Sequence, residues 1–390
     1  MTSTERKFTS VEICAGAGGQ AVGLHEALFK HLALIEIDKH AVITLKENVE
    51  GNVEWQGCQV MEEDLTKLAP EKLKHGLGLA DFDLDLLAGG VPCPPFSVAG
   101  KQLGKDDERD LFPTMLDLVD ELKPKAVLIE NVRGLLDQKF QEYREGEILK
   151  RLEGMGYKKC YWEIIEAKNY GVPQLRPRAI LVAMHESYFV EEFVWKKPEE
   201  KPAVTVAEAL HDTMKDRFDS SGDLRAKAAF KKWHDAASKG VAPTLVGGSK
   251  KHGGADLGPS RAKAAWRELG VCGLGVADKP EEMTRPERDL FAEDGPKLTV
   301  RQAAIIQGFP ETWKFPGKKT ATYRQVGNAF PPPVARAVGE QIIAALEAAG
   351  VKKEREAPFE APVPARPARS AGLTAKLADR RSDLESAGVR

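Results

Sequence analysis

Cys93 stands in the tetrapeptide Pro92-Cys93-Pro94-Pro95, just after the apolar run 83–88 and the turn Gly89-Gly90. Proline fixes φ and donates no backbone hydrogen bond, so this segment cannot continue a sheet or a helix and must present its side chains from a stiff bend. A thiol held that way suits a nucleophile. A free cysteine also commonly packs as a small buried hydrophobe, and on the tetrapeptide alone both readings stand. A second constellation is Ala15-Gly16-Ala17-Gly18-Gly19. It follows an apolar run and opens an amphipathic one, the setting in which glycines let a ligand reach the amides at a helix start. Glu36 ends the next apolar run, where a carboxylate commonly takes the two hydroxyls of a ribose, and Gly16, Gly18 and Ala21 fit the spacing G-x-G-x-x-A. These residues point to an adenosine-bearing cofactor. They leave a nicotinamide dinucleotide and S-adenosylmethionine both open, beside a turn that holds no ligand.

Glu130-Asn131-Val132 closes another apolar run and carries a carboxylate toward the same place as Cys93. Among apolar walls such a group is kept partly protonated and acts as an acid; a turn-forming or helix-capping role is the alternative. In Gln174-Leu175-Arg176-Pro177-Arg178 the two arginines stand at i and i+2 of an extended segment. Both project to one side, which suits gripping a phosphate and a base carbonyl together. A pair of surface salt bridges is the plain reading.

The elements that must hold these residues alternate. Candidate strands are 10–14, 33–37, 84–88, 126–130 and 179–184, and candidate helices are 20–30, 40–48 and 111–122. Alternation of this kind predicts an α/β fold with a doubly wound, mostly parallel sheet, in which ligands gather at the carboxyl ends of the strands. After His185 the alternation stops, and the stretch to Gly295, rich in Lys, Gly and Ala, reads as an irregular second domain. Helical periodicity returns at 300–307 and from Val334 through Val338, Ile342 and Leu346. The expected division is 1–190 for the first part of the catalytic and cofactor-binding domain, 191–298 for the insertion, 299–350 for the helices completing the first domain, and 351–390 for a flexible tail. The tail is rich in proline and charge, with a short helix expected over 374–386.

With 390 residues and 42% hydrophobic content the chain can bury a full core. No stretch approaches the roughly 18 apolar residues of a membrane span, and the polar start 1–7 lacks the apolar region of a signal peptide. A cytoplasmic protein is expected. Five widely spaced cysteines without a C-x-x-C pair indicate neither a disulfide framework nor a zinc site. Between Lys215 and Arg267 stand 12 Lys or Arg against 5 Asp or Glu, a local +7 in a chain of net charge −2. That segment can face phosphates, or be a solvated lysine-rich surface.

Taken in order, 11–19, Gly90 to Ser97, Arg109 to Phe112, Glu130 to Val132, Gln174 to Arg178, Arg301 to Pro310 and Gln325 to Ala329 resemble the unpermuted motif series of the DNA (cytosine-5) methyltransferases. The resemblance covers about 11–338 and lapses across the variable region after Met184, where that family keeps its target-recognition domain. It implies S-adenosylmethionine as cofactor and the fold of its methyltransferases. It implies Cys93 as the nucleophile on carbon 6 of a flipped-out cytosine, Glu130 on ring nitrogen 3 and Arg178, with Arg176, on the carbonyl side of the base and its backbone. Cofactor contacts are implied for Cys14, Ala15, Gly16, Gly18, Gly19, Glu36 (ribose), Ile37, Asp64 (adenine amine), Leu65, Pro92, Leu111, Asn328 and Ala329. DNA contacts are implied for Ser97, Arg176, Thr244, Lys250, Lys251 and Arg261, with the loop 99–109 closing over the site about Gly100 and Gly104.

Three residues depart from the family pattern: Cys14 replaces the usual phenylalanine, Ile37 an aromatic residue and Pro94 a glutamine. No metal is needed by this chemistry. The implied partner is double-stranded DNA, met by a monomer associated with the nucleoid of a prokaryote and accompanied or not by a separately encoded restriction endonuclease. An RNA-directed enzyme of the same fold and an NAD-dependent dehydrogenase are the alternatives; the latter leaves Cys93, Glu130 and the 174–178 run without a task.

Overall fold

The computed structural model describes residues 7–92, 110–191, 202–247 and 255–356. Seven strands form one sheet in the order β3-β2-β1-β4-β5-β7-β6: β1 Phe8–Ile13, β2 Phe29–Glu36, β3 Gln59–Glu62, β4 Leu86–Gly89, β5 Ala126–Val132, β6 Tyr157–Glu166 and β7 Pro177–His185. Strands β3, β2, β1, β4 and β5 run parallel, while β7 lies antiparallel between β5 and β6. The middle strands carry near-continuous runs such as Leu86-Leu87-Ala88 and Ala126-Val127-Leu128-Ile129, buried throughout. Helices on both faces of a sheet demand that composition. Strand order reverses between β1 and β4, so a crevice opens above their carboxyl ends.

The first half contributes α1 Gly19–Glu26, α2 Lys39–Val49, α3 Pro70–Gly76, α4 Phe112–Leu122, α5 Gln141–Tyr143 and α6 Lys150–Gly154. The second contributes α7 Val206–Asp219, α8 Ala226–Ala237, α9 Ser260–Glu268, α10 Pro286–Asp289, α11 Val300–Gln307, α12 Lys319–Asn328 and α13 Pro332–Glu356. Several starts are written in the sequence. The Asp38 carboxylate accepts from the amides of His40 and Ala41 at 3.0 and 3.2 Å, and Thr205 with Glu208 and Thr299 with Gln302 form capping boxes. Among the described residues no helix is long and apolar enough to cross a membrane.

Four expectations are corrected. The helix expected over 20–30 ends at Glu26, because Leu28 takes the left-handed φ of 77° and Phe29, fully buried, begins β2. The strands β3 and β6 were not expected; both are edge strands whose exposed charged residues hide the alternation. The segment read as irregular contains α7, α8 and α9, whose buried faces reduce to a few residues such as Leu210, Phe218, Trp233 and Trp266 among charged ones. Helix α13 continues through Glu356, past the expected start of the tail, and the helix expected over 374–386 lies outside the described residues. Val206, Leu210, Trp266 and Leu298 share one apolar cluster with Ala21, Leu45, Ala303 and Tyr323, which seats this segment against α1, α2, α11 and α12.

Candidate active site

The carboxyl ends of β1, β2, β4 and β5, the first turn of α1 and one face of α12 enclose a cavity of about 340 Å³. Among the residues expected to hold a cofactor, Cys14, Ala15, Gly16, Gly19, Glu36, Ile37, Asp64, Leu65, Pro92, Leu111, Asn328 and Ala329 line it. Gly18 does not. It precedes α1 with φ of 86°, and a Cβ there would lie 2.6 Å from the Trp313 ring, whose Nε1 donates to the Ala17 carbonyl at 3.0 Å. Its glycine is demanded by the backbone turn and by that indole. Reading residue types alone missed Glu12, Gln20, Glu63, Arg324 and Gln325 in the wall.

Glu36 is fixed by backbone amides: its Oε2 accepts from Gly16 at 2.7 Å, and its Oε1 from Ile37 at 2.9 Å and Asp38 at 2.8 Å. The glycine loop and the carboxylate that ends β2 are thus one unit. Asp64 follows β3 and accepts from the Thr66 hydroxyl at 2.7 Å while pairing with Lys67 at 2.9 Å; these contacts pull its carboxyl down to about 2. Cys14, in the left-handed region at φ 50°, has its thiol pushed up to about 12, by burial first and then by Glu36 and Glu12. It meets the cavity as a neutral sulfur surface. Ile37 is 61% exposed, so one wall beside Glu36 is an open aliphatic side chain.

Beyond this pocket β5 and β7 bring two more groups together. Their antiparallel register opposes Glu130 to Ile180 and Val132 to Arg178, which makes Glu130 and Arg178 diagonal neighbours on one face. Arg178 Nε lies 2.7 Å from Glu130 Oε1, and Glu130 also lines the cavity. The Asn131 side-chain amide donates to the Val91 carbonyl at 2.8 Å, and the Leu111 amide donates to the Pro92 carbonyl at 3.3 Å. The chain therefore leaves β4 at Pro92 beside Glu130 and returns there at Leu111. Cys93, Pro94, Ser97, the loop 99–109, Lys250 and Lys251 lie outside the described residues.

Arg176 requires a correction. It is 1% exposed, and its guanidinium donates to the carbonyls of Leu245 at 2.7 Å, Gly327 at 3.0 Å and Ala329 at 2.9 Å. Burial lowers its affinity for its proton. A guanidinium this deeply buried, with both terminal nitrogens held by backbone carbonyls, is not available to a DNA phosphate, although its Nε has no partner among the described residues. The neighbouring Gln174 completes the seam: its amide donates to Gln307 Oε1 at 2.7 Å and its Oε1 accepts from the Leu245 amide at 2.8 Å. Here 242–247 lies along 173–176, and Gly247 leaves no room for a Cβ, which would fall 2.1 Å from Asn328 Oδ1. Thr244 donates its hydroxyl to the Leu175 carbonyl in the same seam. Arg261 is exposed on the first turn of α9. No group of three or more His, Cys, Asp or Glu able to hold a metal ion occurs among the described residues.

Comparison with known proteins agrees with this geometry. The family model described as C-5 cytosine-specific DNA methylase matches residues 8–344. The chain is 48% identical over 347 residues to the type II methyltransferase M.NaeI of Lentzea aerocolonigenes, covering 88% of this chain and 77% of that one. It is 47% identical to the type II methyltransferase M.NgoMIV of Neisseria gonorrhoeae, covering 87% and 99%. In fold it resembles the methyltransferase EhMeth of Entamoeba histolytica, with TM-score 0.57, 15% identity and coverage of 88% and 99%. The Dnmt2 methyltransferase of S. pombe superposes with TM-score 0.54, 18% identity and coverage of 88% and 99%.

Proposed function

The chain belongs to the C-5 cytosine-specific DNA methylases, and from that premise we propose how its residues divide the work of methylating carbon 5 of cytosine in DNA. The cavity above β1 and β2 is the site of S-adenosylmethionine. Its volume suits a ligand of that size, its amide-held Glu36 suits a ribose, and buried polar atoms of Glu12 and Gln20 in its wall are without partners among the described residues. When bound, the cofactor supplies a methyl group on a positively charged sulfur.

Carbon 5 of cytosine is a poor nucleophile, so a thiolate must first add to carbon 6 and drive an electron pair toward carbon 5. Cys93 does this. It directly follows Pro92, which lines the cavity next to Glu130. Glu130 faces ring nitrogen 3 and Arg178 the carbonyl oxygen at carbon 2; polarising that edge makes carbon 6 electrophilic. The observation that carries this reading is the Glu130–Arg178 pair, held on one face by β5 and β7 where the chain leaves β4 for Cys93. Loss of the carbon 5 proton after transfer returns the electron pair, breaks the sulfur–carbon 6 bond and frees Cys93.

A stacked base cannot reach such a crevice, so the target cytosine leaves the duplex at a cost of a few kcal/mol, offset by protein contacts. Arg261 on α9, with Lys250, Lys251, Ser97 and the Thr244 segment, supplies contacts to the DNA. A monomer is the working unit of this reading. Two relatives named type II methyltransferases support a companion restriction endonuclease. The test is transfer of a tritiated methyl group from S-adenosylmethionine to duplex DNA, followed by digestion to nucleosides. Label should elute as 5-methylcytidine in its deoxy form, and Cys93→Ala should transfer none while still binding S-adenosylhomocysteine. Transfer by Cys93→Ala at the wild-type rate would remove the covalent mechanism.

A further inference from the structure

Tyr143 and Arg144, neighbours in sequence, reach the two segments that carry Cys93 and Glu130. Tyr143 ends α5 and donates its hydroxyl to Asp110 Oδ2 at 2.5 Å. Asp110 stands immediately before Leu111, and its Oδ1 accepts from the Phe112 amide at 3.0 Å, where α4 begins. The Leu111 amide in turn donates to the Pro92 carbonyl at 3.3 Å, and Leu111 and Pro92 both line the cavity. Arg144 donates to the carbonyls of Leu135 at 2.6 Å and Asp137 at 2.8 Å. Those two residues belong to the turn by which the chain leaves β5 beyond Glu130.

The local backbone is unusual at this point. Arg144–Leu149 forms a π-helical turn directly after α5, a distortion that re-aims side chains and recurs at functional sites. Packing accounts for the Tyr143 ring and not for its hydroxyl: the ring meets Phe112 edge-on at 6.0 Å and lies against the apolar cluster of Phe112, Met115, Leu135 and Ile148. Phenylalanine would serve there as well. The hydroxyl therefore acts through Asp110. On the other side of the same segment the Asn131 amide holds the Val91 carbonyl at 2.8 Å, so Val91-Pro92 is gripped from β5 and from Leu111. The first grip is built into the sheet; the second depends on where Asp110 sets Leu111.

We propose that Tyr143 is a positioning residue for the covalent step: through Asp110 and Leu111 it fixes Pro92, and so the thiol that follows in sequence, relative to Glu130. This rests on Cys93 and Glu130 acting as described under the proposed function. A displacement of about 1 Å at reacting atoms is enough to slow an enzyme by orders of magnitude, whereas a hydrogen bond that only joined α4 to α5 would add to stability and nothing to rate.

The test is the rate at which the full chain, in excess over DNA and saturated with S-adenosylmethionine, forms a denaturation-resistant adduct with a duplex containing 5-fluorocytosine. Tyr143→Phe keeps the ring and should slow the adduct at least about tenfold, with the Kd for S-adenosylhomocysteine unchanged within about twofold. Asp110→Asn should slow it too, and the double variant should be no slower than the slower single one, because both break one relay. Tyr157→Phe is the structural control. It removes a buried hydroxyl that donates to the Pro124 carbonyl at 2.6 Å, at the opposite end of the sheet, and should lower the urea midpoint without slowing the adduct. A wild-type rate for Tyr143→Phe, additive losses in the double variant, or equal slowing by Tyr157→Phe would overturn the assignment. A loss confined to S-adenosylhomocysteine affinity would overturn it as well, by placing the effect on the cavity wall. No adduct from the wild-type chain, or an undiminished one from Cys93→Ala, would instead remove the covalent reading itself, and the positioning role with it.

Discussion

Two polar regions adjoin at α12 and differ in how their groups are satisfied. In the seam between 173–178 and 242–247, Gln174 and the two terminal nitrogens of Arg176 bond to carbonyls, an amide and Gln307, and Arg176 Nε stays without a partner among the described residues. In the cavity, Glu12, Gln20, Arg324 and Gln325 each keep a buried polar atom without a partner among the described residues. Both regions are rich in charge and amide groups, and residue type does not separate them. The place of the incomplete atoms does: in the seam Arg176 Nε lacks a partner among the described residues but does not line the cavity, whereas the incomplete groups in the cavity wall are within reach of a ligand.

The comparison can be broken by substitution. Glu130→Gln, which alters a group proposed to meet the base and lying outside the seam, should slow methyl transfer by at least about a hundredfold, measured by tritium incorporation, with far less change in thermal unfolding. Arg176→Met should do the reverse. It strips donors from three buried carbonyls and should destabilise the fold by about 3 kcal/mol, read from urea midpoints; a variant of wild-type stability would show that the seam is not structural. Thr299→Ala removes one capping box at α11, the helix that carries Gln307 into the seam, and should cost about 1 kcal/mol.

The smallest effect concerns Asp64. Lys67 and Thr66 hold its carboxyl at about 2 against an ordinary value of 3.8. A depressed carboxylate contributes stability above its unfolded value and loses it as pH falls through the folded one. The urea midpoint of Lys67→Ala should therefore fall below that of wild type at neutral pH, and the two should converge as the pH is lowered toward 2. A difference that persists there would assign the effect to something other than this pair.

The glycine loop, Glu36 and the Glu130 strand end were legible because each is local: a tight turn, an apolar run and its last residue declare themselves within a few positions. That β1, β2, β4 and β5 are strands of a mostly parallel sheet followed from the alternation; their order in the sheet comes from the structure. Arg176 was not legible, since its role depends on carbonyls of residues 245, 327 and 329, brought to it only by folding. An extended i, i+2 pair of arginines looks the same whether one or both reach solvent; here Arg178 pairs with Glu130 at the site and Arg176 is buried in the seam. Glu12 and Gln20 were missed for a related reason. On β1 and α1 they read as ordinary polar positions, and only the cavity reveals that their atoms lack partners. Helices α7, α8 and α9 escaped notice because few apolar residues mark their buried faces.

The central claim is that the residue following Pro92 bonds covalently to the cytosine ring. A duplex containing 5-fluorocytosine at target positions, incubated with the protein and S-adenosylmethionine and run on a denaturing gel, tests it directly, because fluorine cannot leave as a proton does and the adduct persists. The expected result is a denaturation-resistant protein–DNA band that needs the cofactor, is absent with Cys93→Ala, and maps to Cys93 after proteolysis. A band of undiminished yield from Cys93→Ala, or one mapping to another residue, would contradict it.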